Sequence, residues 1–303
     1  MLDCIVIGGG PAGLNAALVL GRARKNVILF DEDKPRNRVT SESHGFITRD
    51  GIEPAEFKRI AHQDLAHYPS VSLYQQRVVA VEKEGNSFLV EAADGTHFTA
   101  KKVLLTTGLV DILPNIKGIE SFYGKSLFSC PFCDGWEMRD KALVVISKST
   151  DHAVHIAKLL TNWSDDIIVC TNGKCEVSGE DKALLAEKKI TVIEDEINKL
   201  SGENGHLQTI QFVGGKEIKR DSGIVMTDLI QATDFASSLE LEVNQMGGVV
   251  TDMFGRTNQV GVYSAGDHSI AGPSQLIIAA AEGNKAAVGV IADLTEESFQ
   301  QKN

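Results

Sequence analysis

The stretch from Asp3 to Asp33, DCIVIGGGPAGLNAALVLGRARKNVILFDED, constrains the fold more than any other part of the chain. It reads as an apolar strand, a glycine turn, a helix over Ala12 to Arg24, and a second apolar strand ending at Asp31. Gly8, Gly10 and Gly13 follow the strand and open the helix, which is the setting that gives a GxGxxG pattern meaning. Gly8 permits the tight turn, Gly10 lets bare backbone approach a pyrophosphate, and Gly13 lets helix and strand close together. Pro11 and Ala12 complete the candidate turn, and the N–H groups at the helix start attract an anion. Asp31 or Glu32 stands about 20 residues on, where a carboxylate accepts hydrogen bonds from a ribose. The segment therefore predicts a dinucleotide-binding βαβ unit.

A second βαβ pattern follows further along: a strand over Ala142–Ile146, a helix over Asp151–Leu160 and a strand over Ile167–Cys170. Between the two, VSLYQQRVVAVEKEG and SFLVEAADGTHFTAKKVLLTTG read as strands, with Asp94-Gly95 as a hairpin turn. They predict a small antiparallel layer laid against a parallel sheet. A helix near Lys182–Lys189 and the strands TVIEDEI, TIQFVGG and GIVMTDLI complete a compact unit. The tail MGGVVTDMFGRTNQVGVYSAGDHS reads as two strand-like runs around a turn, followed by a helix in SQLIIAAAEGNKAAVGVIADL. Since this tail has no core of its own, it is expected to pack on the N-terminal unit. The fold class is α/β, with two Rossmann-like three-layer ββα domains: 1–112 and 238–303 form one discontinuous domain, and 113–237 is inserted in it.

Composition narrows the function. With 303 residues, 43% of them apolar, the chain can bury a large core. Its net charge of −11, with no basic patch, repels phosphate backbones and anionic lipid, so neither nucleic acid nor membrane is an expected partner. No basic leader and no apolar run of roughly 18 to 20 residues is evident, and a cytoplasmic protein is expected. Five cysteines are too few and too unevenly spaced for a secreted disulfide framework.

Cys130-Pro-Phe-Cys133 is the close pair among them, set at the start of an expected helical turn whose dipole would lower a thiol pKa. Three readings stand: a redox dithiol, a zinc site shared with Cys170 and Cys175, or inert buried thiols. Asp134, next in sequence, could protonate a leaving thiolate or simply shape the turn. His152 and His155 lie on one helix face without a third ligand and read as solvated, so no metal site is assigned.

Taken in order and at their separations, IGGGPAGLNAA, TTG, CPFCDG and SAGD resemble thioredoxin reductase of the small bacterial type, over nearly the whole chain. The resemblance implies an FAD domain built from both ends of the chain, an inserted NADPH domain carrying the dithiol, and a homodimer. It implies that Cys130 attacks the substrate disulfide, Cys133 faces the flavin and Asp134 is the acid. It places Asp267, after Gly266, on the ribityl chain, and points the helix start at Gln275 and Leu276 toward the flavin pyrimidine ring. Thr107-Gly108 looks like the family's Ala-Thr-Gly turn, and His44, in SHGF, falls in the loop that approaches the flavin.

The family's inserted domain carries GxGxxA and an arginine cluster for NADPH. Here the aligned turn is SKSTDH, Ser147 to His152, and the later segment offers only Lys174. Side chains at Ser147 and Ser149 crowd a pyrophosphate, so NADPH is not an expected cofactor. The wording PRNRVTSESHGFITRDGIEPAEF is similar to a divergent branch without the NADPH motif, which includes gliotoxin- and holomycin-type dithiol oxidases. Where that branch commonly has His after the second cysteine, this chain has Asp134. The expectation is an FAD-dependent thiol–disulfide oxidoreductase that acts on a thioredoxin-like protein or a small disulfide and draws electrons from ferredoxin or flavodoxin. An oxygen-dependent dithiol oxidase and a non-enzymatic flavin sensor are the alternatives.

Overall fold

The computed structural model describes residues 1–270 and 275–300. The chain divides into two compact units, Met1–Arg38 with Gly45–Val110 and Leu229–Asn303, and Val39–His44 with Asp111–Asp228. These divisions fall within a few residues of 112/113 and nine residues before 237/238, because the return strand already belongs to the first unit. The short Val39–His44 segment, which no sequence signal marks, groups with the inserted unit.

In the first unit, β1 (Leu2–Ile7), α1 (Pro11–Arg22) and β2 (Val27–Phe30) form the expected βαβ, with Cys4 to Ile7 in parallel register with Val27 to Phe30. Pro11 starts α1 with its fixed φ, and Arg24 in left-handed conformation (φ 60°) ends it. The buried face of α1 carries Leu14, Ala17 and Leu20 against Val6, Leu29 and Leu104. A helix α2 (Pro54–Leu65), which sequence reading misses, leads into β3 (Val71–Tyr74) beside β2. It begins with Pro54 at its first turn in the run GIEPAEF.

The antiparallel meander is β4 (Val78–Glu84), β5 (Ser87–Ala92) and β6 (His97–Leu105), turned at Gly95 (φ 81°) where the Asp94 carboxylate accepts the Thr96 N–H at 3.0 Å. It is not a separate layer. The first half of β6 pairs with β5, while its second half runs parallel to β1.

The chain leaves the first unit through β7 (Leu109–Ile112) and reaches β8 (Leu127–Phe128), α3 (Pro131–Asp134), β9 (Leu143–Ile146), α4 (Thr150–Leu160), β10 (Ile167–Cys170), α5 (Gly179–Glu187) and β11 (Thr191–Ile193). An antiparallel sheet of β12 (Ile197–Glu203), β13 (His206–Phe212) and β14 (Glu217–Lys219) follows, and then β15 (Ser222–Val225). The parallel sheet has the order β11-β10-β9-β15-β8. Ile146, Ile168 and Val225 face the antiparallel sheet, while Leu143, Val145 and Val169 pack with Ala157 and Leu160 of α4. α5 starts three residues before Lys182 because Ser178 caps it, its Oγ accepting the Asp181 N–H at 3.0 Å.

The chain returns along β16 (Asp228–Gln231), which pairs with β7, so GIVMTDLI is two strands and not one. The tail adds α6 (Phe235–Ser238), β17 (Val262–Ser264), α7 (Asp267–Ile270) and α8 (Leu276–Gln300). Only one of the two strand-like runs expected there forms a strand. In the other, the Asp252 carboxylate accepts the N–H groups of Phe254 and Arg256 at 2.8 and 3.0 Å, which favours a turn over a ladder. β17 joins the second half of β6 in parallel, and α8 packs on α1, with Asn15 Nδ2 donating to the Ala280 carbonyl at 2.7 Å.

Candidate active site

Four parallel strands of the first unit end in polar or glycine turns at one edge: β1 at Gly8, β2 at Asp31, β6 at Thr107-Gly108 and β17 at Gly266-Asp267. Ligands bind at this carboxyl edge in open α/β sheets. Gly8 has φ 115°, and a Cβ there would stand 2.2 Å from the Thr106 carbonyl oxygen. A Cβ on Gly13 would meet the Gly8 carbonyl oxygen at 1.9 Å, so neither position admits a side chain. Gly10 differs: nothing lies within 4 Å of a Cβ built on it, and no side chain caps α1 there. The helix start is therefore bare backbone facing open space, beginning at Pro11, Ala12 and Gly13.

Asp31 is held by more than its strand. Its carboxylate pairs with the Lys58 ammonium of α2 and accepts the Asp33 N–H at 2.9 Å. Lys58 also reaches Asp33 at 2.5 Å; burial opposes its charge, but the two carboxylates outweigh that and raise its pKa. Glu32 is more exposed and pairs with Lys34 at 3.3 Å. Gly266 (φ 71°) brings its turn against α1, since a Cβ there would lie 2.8 Å from the Ala12 Cβ. Asp267 accepts the Arg36 guanidinium at 3.3 Å. Thr107 Oγ1 lies 3.4 Å from Thr233 Oγ1, and Gly108 takes φ 70°. Gln275 precedes α8 and its carbonyl accepts the Ala279 N–H at 3.0 Å, with Leu276 as the first helical residue. Lys58 and Arg36 escape sequence reading, because their place is set by pairing with residues far along the chain. The DKPRNR run after β2 is the only hint of Arg36, and finding Lys58 requires recognising α2.

The inserted unit holds the dithiol. Cys130 leaves β8 in extended conformation (φ −132°) and caps α3, its carbonyl accepting the N–H groups of Cys133 and Asp134 at 3.3 and 3.2 Å. The helix is a single turn, so its dipole is much smaller than a longer helix would supply. Trp163 backs the turn: a Cβ on Gly135 would stand 2.6 Å from its indole ring. Phe132 and Trp136 flank the pair and are exposed.

Asp134 carries the strongest electrostatic signal in the unit. Burial, then the neighbouring Cys130 sulfur and Glu137, push its carboxyl up to about 7, against the pull of His44 in the other direction. His44 Nε2 lies 3.7 Å from both Glu42 Oε2 and Glu137 Oε1. The family resemblance implies a flavin contact for His44; within its own unit it groups with Asp134 and Glu137. Cys170 is wholly buried in β10, its thiol pushed up to about 12 by loss of water, and Cys4 is buried in β1. Among the described residues no cluster of three or more His, Cys, Asp or Glu is placed to hold a metal ion.

The turn between β9 and α4 is filled from within. Ser147 is buried, its Oγ donates to the Ser149 carbonyl at 2.9 Å, and the same oxygen accepts the Ser149 N–H at 3.1 Å. After β10, Asn172 is occupied by accepting the Ile197 N–H at 2.7 Å, and Glu194 accepts the Val177 N–H at 2.7 Å.

A bare glycine cradle at the carboxyl edge of one unit, with a Cys-x-x-Cys and a neutral-range carboxylic acid in the other, defines a dinucleotide-dependent disulfide oxidoreductase. The chain belongs to the family described as pyridine nucleotide-disulphide oxidoreductase, which residues 2–283 match. Its fold is similar to that of a putative thioredoxin reductase, TrxB, from Bacillus anthracis, 47% identical with a TM-score of 0.96 over 99% of this chain and 100% of that one. It is similar also to HlmI, 31% identical with a TM-score of 0.94 over 99% of this chain and 95% of that one. A probable thioredoxin reductase of Arthroderma benhamiae is 40% identical over 61% of this chain, which spans about half (47%) of that relative's length.

The enzyme is a thioredoxin reductase-like oxidoreductase, and FAD is the cofactor of this family. The residues present fit FAD: Gly10 faces open space that a pyrophosphate would fill, and the Asp31 and Asp267 carboxylates would offer acceptor oxygens to hydroxyl groups. No helix among the described residues is long and apolar enough to cross a membrane.

Proposed function

We propose that the protein is an FAD-dependent thiol–disulfide oxidoreductase that works without NADPH, taking its electrons from a donor of the ferredoxin or flavodoxin kind. One observation carries the reading of the donor: Ser147 Oγ occupies the backbone N–H of Ser149, at the turn where a nicotinamide dinucleotide needs bare backbone. The charge after β10 is also unsuited: Glu176 follows Lys174 by two residues, the Gly173 N–H donates to the Glu194 carbonyl at 3.0 Å, and no arginine occurs between Lys174 and Glu196. A 2′-phosphate would meet acids there.

The exchange itself belongs to the dithiol. Cys130, as thiolate, attacks one sulfur of the substrate disulfide; the substrate S–S bond breaks and the departing thiolate takes the proton of the Asp134 carboxyl. Cys133, as thiolate, then attacks the Cys130 sulfur, closing the Cys130–Cys133 bond and releasing the second substrate sulfur as a thiolate, which takes its proton from water. The substrate has gained two electrons and the enzyme's pair has lost two. Bound FAD supplies the two-electron chemistry that resets the pair. Asp134, near 7, is well placed as an acid at neutral pH. A thioredoxin-like protein or a small disulfide is the proposed substrate, and the reading includes a cytoplasmic homodimer.

Anaerobic titration of the purified holoenzyme tests this. NADPH should leave the flavin oxidised, while reduced ferredoxin or flavodoxin bleaches it and a disulfide restores its colour. Bleaching by micromolar NADPH would sink the donor assignment. Bleaching by a small dithiol, with peroxide released in air, would favour the oxygen-dependent oxidase.

A further inference from the structure

The segment Val39–His44 lies far from the dithiol in sequence yet packs as part of its unit. It delivers an imidazole into a group of three carboxyls. His44 Nε2 stands 3.7 Å from Glu137 Oε1 on one side and 3.7 Å from Glu42 Oε2 on the other. Glu137 follows Asp134 by one helical turn, and its second oxygen is buried with no hydrogen-bond partner. The anchorage of the segment is tight: a Cβ on Gly124 would stand 2.4 Å from the Val39 carbonyl oxygen. These groups do not form a metal site.

We propose that His44 is a positioning residue for disulfide exchange: with Glu42 and Glu137, each 3.7 Å from its Nε2, it forms a polar cluster that acts on Asp134 as that residue delivers a proton to the departing thiolate. This deepens the proposed function and rests on its assignment of Asp134 as the acid.

The groups that act on Asp134 are Cys130 and Glu137, which favour its neutral form, and His44, which favours its carboxylate; Glu42 and Glu137 face His44 in turn. Without the imidazole, burial, the Glu137 carboxylate and the Cys130 sulfur would leave the acid too reluctant to ionise, and proton delivery to the departing thiolate would weaken. The cluster therefore suits disulfides of ordinary aliphatic thiols, whose thiolate is a poor leaving group until protonated.

The test is single-turnover oxidation of the pre-reduced holoenzyme, without air, by hydroxyethyl disulfide across the neutral pH range. The wild-type rate should fall on an alkaline limb at about 7. His44→Gln should move that limb upward by about one pH unit or more, and Glu137→Gln should move it downward. His44→Lys, which places a positive charge at the same point, should leave it near the wild-type position. An aromatic disulfide whose thiolate leaves unprotonated should show no such limb in any variant. An unmoved limb in His44→Gln, or one moved the same way as in Glu137→Gln, overturns the proposal, as does a limb that survives Asp134→Asn. If the wild type passes electrons to neither disulfide, it is the proposed function that fails.

Discussion

Asp134 should cost the folded protein stability as it ionises, and the cost can be worked out. Its pKa rises from 3.8 to about 7 because burial and its neighbours disfavour the charge. That is about 3 units, and at 1.36 kcal/mol each it corresponds to about 4 kcal/mol. The carboxyl is only partly buried, so solvent screening halves this to about 2 kcal/mol. Below pH 4 the group is protonated in folded and unfolded chains alike, and nothing is lost. Between pH 4 and 7 the unfolded chain ionises first, so stability falls as pH rises; above 7 the loss is complete. Asp134→Asn removes the titration. Calorimetry at pH 5 and pH 8 should therefore show the variant gaining on the wild type by about 4 °C or more at the higher pH, in the transition of the inserted unit. Parallel melting temperatures for the two proteins across that range would refute the assignment of a raised, partly buried carboxyl.

Two further outcomes concern the cradle. Gly13→Ala places a methyl carbon within 1.9 Å of the Gly8 carbonyl oxygen, so α1 must shift from β1; the purified variant should lose most of its visible flavin absorbance, and full retention would contradict the close approach. Lys58→Ala leaves the Asp31 and Asp33 carboxylates adjacent without their shared cation, and FAD titration of the apoprotein should show affinity lower by about tenfold, the effect of about 1.4 kcal/mol. Unchanged affinity would mean Asp31 is held without help from α2.

Legibility in the sequence follows the range of the interaction. The first βαβ unit can be read because its signals are local: an apolar run, three glycines at fixed spacing, then a second apolar run. The second unit reads equally well, since Leu143–Ile146 and Ile167–Cys170 are short continuous apolar stretches bounded by polar turns. α2 was missed because GIEPAEF opens it within a glycine- and charge-rich stretch, and its helix has only Leu65 fully buried, so apolar periodicity is faint. Arg36, Lys58 and the carboxylate partner of His44 are illegible for a different reason. Each takes its meaning from a partner that the fold supplies: Asp267, Asp31 and Glu137 lie in other elements, and no spacing rule connects them. The second expected strand of the tail failed because the Asp252 side chain offers N–H groups a nearer acceptor than a neighbouring strand.

β6 belongs to both halves of the host unit, and this has a bearing on synthesis at the ribosome. Its second half, Val103 to Leu105, takes one neighbour from the N-terminal β1 and the other from β17. The second neighbour emerges only after the whole inserted unit has been translated, an interval of order ten seconds at ordinary elongation rates. During that time Val103, Leu104 and Leu105 present an unpaired apolar margin, open to pairing with any extended chain nearby. The insert, whose parallel strands are all its own, is free to close first. A ribosome that stalls before Val262 would thus release a finished dithiol module tethered to an unfinished cofactor module.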